Sequence, residues 1–170
     1  MFPKMVKFSL YLLLILLAGS VQALPSDKEQ VMHVMADSAD LNQLEHKGTY
    51  IGNVELTQGT TNLHATKAIT KGNEKNQLIE AIALGSKKQQ AHYWAITDAK
   101  KPPLHAYADA IHYYPLRHLI ELIGNARVEQ GSDSFTAAKI SYDTIKQHVI
   151  SEGDKTQRIT IIYHPEKKPT

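Results

Sequence analysis

Short apolar and β-branched stretches follow one another along the chain, separated by turn-forming residues. Val54 and Leu56, for example, alternate with polar neighbours, as a strand with one buried face requires. Gly-Asn and Gln-Gly pairs punctuate these stretches, and such pairs favour turns. The pattern predicts strands at Val31–Ala36, Tyr50–Thr57, Thr61–Thr66, Gln77–Leu84, Ala91–Ile96, His105–His112, His118–Ile123, Ala126–Gln130, Phe135–Tyr142, His148–Ser151 and Arg158–Tyr163.

An internal repeat relates two parts of the chain. GNVELTQG, which begins at Gly52, returns as GNARVEQG at Gly124, a separation of 72 residues. With this shift, 12 of the 35 positions from His33 to Lys67 are identical to their counterparts, without a gap. The repeat predicts two copies of one supersecondary unit, over about residues 31–100 and 104–165. The consecutive prolines Pro102 and Pro103 form a natural joint between them, because proline cannot donate to a strand ladder.

The repeat also resolves a local ambiguity. HLIELIG, which ends at Gly124, suits a helix or a strand by its apolar spacing, whereas its counterpart HKGTYIG is rich in strand formers. LIEAIAL, residues 78–84, is equally ambiguous, and the turn residues that bracket it favour a strand. Many short strands in repeated halves predict an all-β sandwich, roll or open barrel.

The first 23 residues have the features of a secretory signal peptide. Lys4 and Lys7 precede an apolar run from Phe8 to Ala18, and small residues follow, ending at Ala23. The run is shorter than the roughly 20 residues that span a bilayer. We therefore expect cleavage after Ala23 and a single mature domain over residues 24–170. The alternative is an uncleaved membrane anchor.

Composition narrows the function classes. Without Lys4 and Lys7, the 19 basic residues become 17, which equals the number of acidic residues. Nucleic-acid binding needs a concentrated basic surface, and no basic stripe is visible in the sequence. The chain has no cysteine, which excludes disulfides, thiol nucleophiles and thiolate metal sites.

The repeated stretch also carries a family resemblance. HVMADSADLNQLEHKGTYIGNVELTQGTTNLHATKA, from His33, resembles the OstA-type repeat of the LptA family of lipopolysaccharide-transport proteins. The matching features are Ala36-Asp37, the G-N-V-x-x-x-Q-G core from Gly52, and Ala-x-Lys from Ala65. HYYPLRHLIELIGNARVEQG and the ending RITIIYHPEKKP are similar to later parts of the family, although Ala126 departs from the G-N-V form.

The resemblance implies an open, twisted, antiparallel β-jellyroll in the periplasm. Its interior would shield the acyl chains of lipid A, the membrane anchor of lipopolysaccharide. Protomers would stack head to tail into a bridge between an LptC-like inner-membrane component and an LptD-like outer-membrane component. The resemblance implies no catalysis and no cofactor.

Such a carrier needs a continuous apolar lining, because each acyl methylene left in water costs about 0.8 kcal/mol. Strand alternation predicts the lining residues, although Phe135 and Ile140 share a face only if a bulge lies between them. An ordinary closed core would have the same pattern. The predicted lining residues are Val54, Leu56, Leu63, Ile120, Leu122, Ala126, Val128, Phe135 and Ile140.

An open roll leaves unpaired strands at its two ends, where a second copy could add by strand pairing. Such a contact is heterologous and grows filaments when it does not close. The predicted interface residues are Val31, His33 and Val34 at one end and Ile159, Ile161 and Tyr163 at the other.

Other functions remain as alternatives. A membrane-anchored, LptC-like component of the same pathway fits the repeat, and so does a closed β-sandwich that binds carbohydrate or serves in adhesion. The nine histidines show no metal-binding spacing, so no metal site is expected. Asp37 and Asp109 recur at equivalent repeat positions, which favours a turn or capping role over a catalytic pair. No catalytic residue is predicted.

Overall fold

The structure is a computed structural model that describes Asp27 and residues 30–165. The predicted signal peptide lies outside these residues. The described part contains twelve strands and, between β8 and β9, a short 3-10 turn at Pro115–Arg117. The strands are β1 His33–Met35, β2 Ser38–Asn42, β3 Lys47–Gln58, β4 Thr61–Gly72, β5 Leu78–Leu84, β6 Ala91–Ala95, β7 Leu104–Ala108, β8 Ala110–Tyr114, β9 Leu119–Gln130, β10 Asp133–Asp143, β11 His148–Glu152 and β12 Thr160–Ile162.

All twelve strands belong to one antiparallel sheet. Four long strands, β3, β4, β9 and β10, each pair with short strands along two parts of their length. In the first half-sheet the order is β1-β3-β4-β6-β7-β9-β10-β12, and in the second it is β2-β3-β4-β5-β8-β9-β10-β11. This arrangement confirms the predicted all-β antiparallel fold.

The long strands bend where the sequence has Gly-Asn. Gly52 and Asn53 have φ angles of 80° and 43°, and Gly124 and Asn125 have 78° and 48°. The strand register shifts at both places. In the second copy, the Gly-Asn pair predicts a break between two strands, at His118–Ile123 and Ala126–Gln130. That division is wrong: β9 runs through the bend, because the shift redirects the strand without ending it.

An aspartate supports each bend. The Asp37 N–H donates to the Gly52 carbonyl at 2.9 Å, and the Asp37 carboxylate accepts from Asn53 Nδ2 at 3.1 Å. A Cβ atom on Gly52 would lie 2.1 Å from Asp37 Oδ2. Glycine is therefore required both by its left-handed φ and by the space that the carboxylate takes. Asp109 repeats these contacts with Gly124 and Asn125 in the second copy.

The repeat extends further than the 72-residue shift indicates. Lys67 pairs with Leu84, and the equivalent Lys139 pairs with Glu152, so the offset falls to 68 after the turn that follows β10. With this offset, Gly85-Ser86 corresponds to Gly153-Asp154. Ser86 and Asp154 each accept the N–H groups of the residues two and three positions later. A shorter turn hides this relation from an ungapped alignment.

Every strand of the first copy has a counterpart in the second. β1 to β6 pair with one another as β7 to β12 do. Two further pairings join the copies, β5 with β8 and β6 with β7, and we call these the internal junction. The N-terminal edge, β1 and β2, is therefore equivalent to the second copy's side of the internal junction. The C-terminal edge, β11 and β12, is equivalent to the first copy's side.

The two half-sheets share one apolar core. Val54, Ala106 and Phe135 from the first half-sheet lie in the same buried cluster as Ile111 and Leu122 from the second. The cluster is rich in alanine, and Val54 is the largest side chain that is completely buried among the described residues. In the same part of the chain, no helix has the length and apolar character to cross a membrane.

Candidate functional site

Row A is a line of directly paired residues that crosses the inner face of the first half-sheet. Residues paired across antiparallel strands point to the same face, and each member of the row pairs with the next. The row contains no charged side chain and runs from β1 to β12. Its members are Val34, Leu56, Leu63, Tyr93, Ala106, Val128, Phe135 and Ile161.

Row B crosses the second half-sheet in the same way, from β2 to β11. It is apolar except for Tyr50 and the terminal Ser151, and it also lacks charge. Its members are Ala39, Tyr50, Ala68, Ala83, Ile111, Leu122, Ile140 and Ser151. Rows A and B together give the inner surface a continuous apolar lining from edge to edge.

Small side chains line the bend between the half-sheets. Val54 pairs with Ala65, Ala91 with Ala108, and Ala126 with Ala137, and all six are buried. Alanine methyl groups fill little space, so the half-sheets can converge along this line while larger residues of rows A and B stand further out.

All nine predicted lining residues have a place on this inner surface. Eight belong to the buried cluster or pack against it, and Leu56 is half-buried opposite Leu63. The register shift between Ala137 and Lys139 brings Phe135 and Ile140 to the same face, as the predicted bulge requires. Sequence reasoning missed Tyr93, Ala106 and Ile111, which sit at the internal junction. Strand alternation in AHYWA, residues 91–95, and LHAYA, residues 104–108, could have assigned Tyr93 and Ala106 to the inner face.

Burial differs along the inner surface. Phe135 and Leu122 are buried, whereas Val34 and Ile161, at the two ends of row A, are 41% and 50% exposed. Tyr113, which pairs with Ala81 and Ile120 on the inner face, is also 40% exposed. Burial raises the pKa of the Tyr93 hydroxyl, so this group stays neutral and polar inside row A. The inner surface is thus covered around Phe135 and Leu122, and open at the two ends of row A and at Tyr113.

The outer face of the second half-sheet is charged, in contrast to the inner face. Lys71 Nζ lies 2.6 Å from Glu80 Oε2, and Lys139 Nζ lies 2.6 Å from Glu121 Oε1. The hydrogen bond from each lysine lowers the pKa of its glutamate. The bond to Glu121 also raises the pKa of Lys139. These pairs stay ionised near neutral pH, so this face of the sheet is polar and hydrated.

An aromatic stack covers the outer face of the internal junction. The His92 ring lies 4.2 Å from Tyr107 and 4.5 Å from Trp94, and Arg127 stands over the far face of Tyr107. His92 Nε2 is 2.9 Å from His105 Nδ1. Burial, and then the charges of neighbouring histidines and Arg127, lower the pKa of His92 to about 4. The stack therefore holds a neutral imidazole at physiological pH.

The two edges of the sheet expose apolar side chains. His33 and Val34 lie in β1, and Ile161 lies in β12; Val31, Ile159 and Tyr163 flank these strands. All are exposed except Tyr163, which is half-buried. The predicted interface does not include β2 and β11, which lie at the same two edges and carry the exposed Leu41 and Ile150. The strand β11 itself is predicted from sequence, at His148–Ser151.

The described residues contain no group of three or more His, Cys, Asp or Glu side chains that could hold a metal ion. Asp37 and Asp109, the pair of acids considered from sequence, each support a separate bend. Asp27, a buried acid, accepts hydrogen bonds from the Thr60 and Thr61 hydroxyls beside row A. Along rows A and B themselves, the inner surface holds apolar groups and a few neutral hydroxyls. Its chemistry suits the binding of hydrocarbon.

Comparison with known proteins agrees with this geometry. Residues 33–148 match the family model described as LptA/(LptD N-terminal domain) LPS transport protein. The chain is 34% identical to the lipopolysaccharide export system protein LptH of Pseudomonas aeruginosa over 154 residues, covering 86% of each chain. It is 29% identical to LptA of Escherichia coli K12 over 166 residues, covering 94% of this chain and 86% of the relative.

A solved structure also has this fold. It is the crystal structure of Pseudomonas aeruginosa LptH, described as the LptA-homologous periplasmic component of the lipopolysaccharide transport device. The two structures superpose with a TM-score of 0.71 at 30% identity, over 83% of this chain and all of that chain. The match confirms the jellyroll expected from sequence.

Proposed function

Because the chain belongs to the LptA/LptD N-terminal domain family of lipopolysaccharide-transport proteins, we propose that it carries lipopolysaccharide across the periplasm. In this proposal a cleaved signal peptide exports the domain of residues 24–170. The inner surface then shields the acyl chains of lipid A from water. The protein acts by binding, without catalysing a reaction.

The absence of charged side chains from rows A and B is the observation that carries this proposal. Rows A and B place apolar side chains beside one another on neighbouring strands, without an interruption at the internal junction. An acyl chain moving along them would not meet a charged group. Seven of the thirteen residues in the buried cluster are alanine, so small side chains fill much of the space between the half-sheets.

We further propose that protomers join head to tail through the two edges. The internal junction is the template, because β11 and β12 are equivalent to β5 and β6, and β2 and β1 are equivalent to β8 and β7. Tyr93 pairs with Ala106 at the internal junction. The equivalent pair between protomers is Ile161 with Val34 of the next copy, and row A would continue across the contact.

The same edges suit the ends of a bridge. An LptC-like component would occupy one edge of the first protomer, and an LptD-like component would occupy the opposite edge of the last. The description of the matching family includes the N-terminal domain of LptD, so the proposed LptD-like component would carry a related domain.

Site-specific photo-crosslinking in cells tests the lipid surface. The probe is placed at Leu56, Leu122 and Val128 on the inner face, with Glu55 and Glu129 on the outer face as matched neighbours. We expect lipopolysaccharide adducts at the first three positions and none at the last two. Adducts at neither set in a folded, exported protein would mean a closed core and end the proposal.

Cysteine pairs test the register between protomers, since the chain has no native cysteine. A chain with Val34→Cys and Ile161→Cys should form a disulfide-linked ladder under oxidising conditions, because direct strand partners bring Cα atoms within disulfide reach. Met35→Cys with Ile161→Cys is the control, since residue 35 points to the opposite face. Equal ladders from both variants would contradict the register. N-terminal sequencing of the exported protein tests the cleavage after Ala23.

A further inference from the structure

A glutamine bridges the two copies at the internal junction. Gln90 Nε2 donates to Asp109 Oδ1 at 3.3 Å and to the Asn125 carbonyl at 3.0 Å. The Gly85 N–H donates to the Asp109 carbonyl at 2.9 Å. Asp109 is thus bound from the first copy by a side chain and by the backbone, at the point where it supports its own bend.

The repeat relation identifies the residues that take these places between protomers. The 68-residue offset puts Arg158 at the position of Gln90 and Gly153 at the position of Gly85. The 72-residue offset puts Asp37 and Asn53 at the positions of Asp109 and Asn125. The glutamine of the internal junction is therefore replaced by an arginine at the C-terminal edge.

Both ends of the equivalent contact are available in the free chain. Arg158 is exposed and makes no ion pair with any described residue, and Asp37 is exposed. The Asp37 carboxylate accepts from Asn53, as Asp109 accepts from Asn125, but no residue that the structure describes takes the place of Gln90 beside it.

We propose that Arg158 of one protomer binds the Asp37 carboxylate and the Asn53 carbonyl of the next protomer. The Gly153 N–H donates to the Asp37 carbonyl in the same contact. This inference rests on the head-to-tail association proposed above. It adds a residue pair that selects the register, because a strand slip of two residues keeps the apolar faces together but separates Arg158 from Asp37.

The change from glutamine to arginine has a physical reason. The two copies within one chain are held together by their peptide link, whereas two protomers meet by diffusion. A guanidinium–carboxylate contact is charge-assisted and directional, and it disfavours wrong alignments. Because the contact is near the surface, salt should weaken it.

A double-mutant cycle on one junction tests the pair. The donor chain carries Val34→Glu, which blocks its N-terminal edge, and the acceptor carries Ile161→Glu, which blocks its C-terminal edge. Their mixture should form a 1:1 complex, whose Kd is measured by fluorescence anisotropy. Arg158→Glu in the donor, or Asp37→Lys in the acceptor, should raise Kd by about tenfold. Together the two changes should return Kd to within a few-fold of the parent pair.

Controls separate this contact from general charge effects. Lys155→Glu in the donor and Glu45→Lys in the acceptor make the same charge changes at exposed turns and should leave Kd within twofold. If circular dichroism shows that Asp37→Lys loses strand structure, Asp37→Asn with Arg158→Gln replaces it in the cycle. Additive effects without coupling would overturn the ion pair alone. Failure of the parent pair to associate would overturn both the ion pair and the head-to-tail association.

Discussion

The strands at the outer edges are equivalent to those of the internal junction and could pair in the same way, but they carry different side chains. At the internal junction, His92, Trp94 and Tyr107 form a stack on the outer face. The equivalent edge residues are Thr160, Ile162 and Met35. His105 alone has an identical counterpart, His33. The stack stabilises a permanent contact within one chain, whereas the edges combine non-aromatic side chains at those three positions with a single candidate ion pair, as suits a contact that forms and separates.

The largest expected difference is in the free energy of unfolding, when the same substitution by glutamate is made at two equivalent positions. Ala106 is buried at the internal junction, and Val34 takes its place at the N-terminal edge. Ala106→Glu should lower the free energy of unfolding by about 3–5 kcal/mol, because it buries an unpaired charge. Val34→Glu should change it by less than about 1 kcal/mol but abolish self-association. Urea denaturation and sedimentation velocity measure the two effects. Similar losses of stability would contradict the comparison.

Removing the aromatic stack should lower the free energy of unfolding by a smaller amount. Tyr107→Ser removes the ring between His92 and Arg127 and should cost about 2 kcal/mol of unfolding free energy. Met35→Ser, at the equivalent edge position, is the matched control and should cost less than about 0.5 kcal/mol. Thermal and urea unfolding of both variants at a concentration that keeps the chains monomeric provide the measurement. Equal costs would show that the stack adds nothing to the internal junction.

Transplanting the stack should make the outer contact resemble the internal one. Thr160→His, Ile162→Trp and Met35→Tyr would complete the set that His33 begins. We expect self-association to tighten by about tenfold, which corresponds to about 1.4 kcal/mol. The same three substitutions in a chain that also carries Val34→Glu should leave it monomeric. A Kd that does not change would mean that the edges do not adopt the internal geometry.

The smallest expected effect is a pH dependence that arises from His92. Its pKa is about 4 in the folded chain and near 6.5 when unfolded, so the unfolded state binds a proton first as pH falls. The stability that the neutral ring provides is therefore complete above pH 6.5 and is lost between pH 6.5 and 4. Because His92 is only partly buried, solvent screening limits the loss to about 1 kcal/mol. His92→Gln should flatten this part of the stability profile, whereas His148→Gln, on an exposed strand, should not.

Sequence predicts the inner surface better than it predicts the junctions. Apolar alternation locates Leu122 and Val128 because each strand has one inner and one outer face. The Gly124-Asn125 bend looks like a turn in sequence, and only the strand pairing shows that β9 continues beyond it. The equivalence of Gln90 and Arg158 depends on a shorter turn that a fixed repeat period cannot detect. The aromatic stack combines residues of two strands, β6 and β7, with Arg127 of β9, so no local sequence pattern predicts it.

The direction of the two rows has a consequence for size. Rows A and B run perpendicular to the strands, and each crosses eight of them. Neighbouring strands are spaced by about 4.8 Å, so one protomer contributes a path of about 38 Å, and one repeat copy contributes about half of that. The length of the apolar path is therefore set by the number of hydrogen-bonded strands. A bridge built from this protein would span a wider gap by recruiting another protomer, because the spacing between strands cannot stretch.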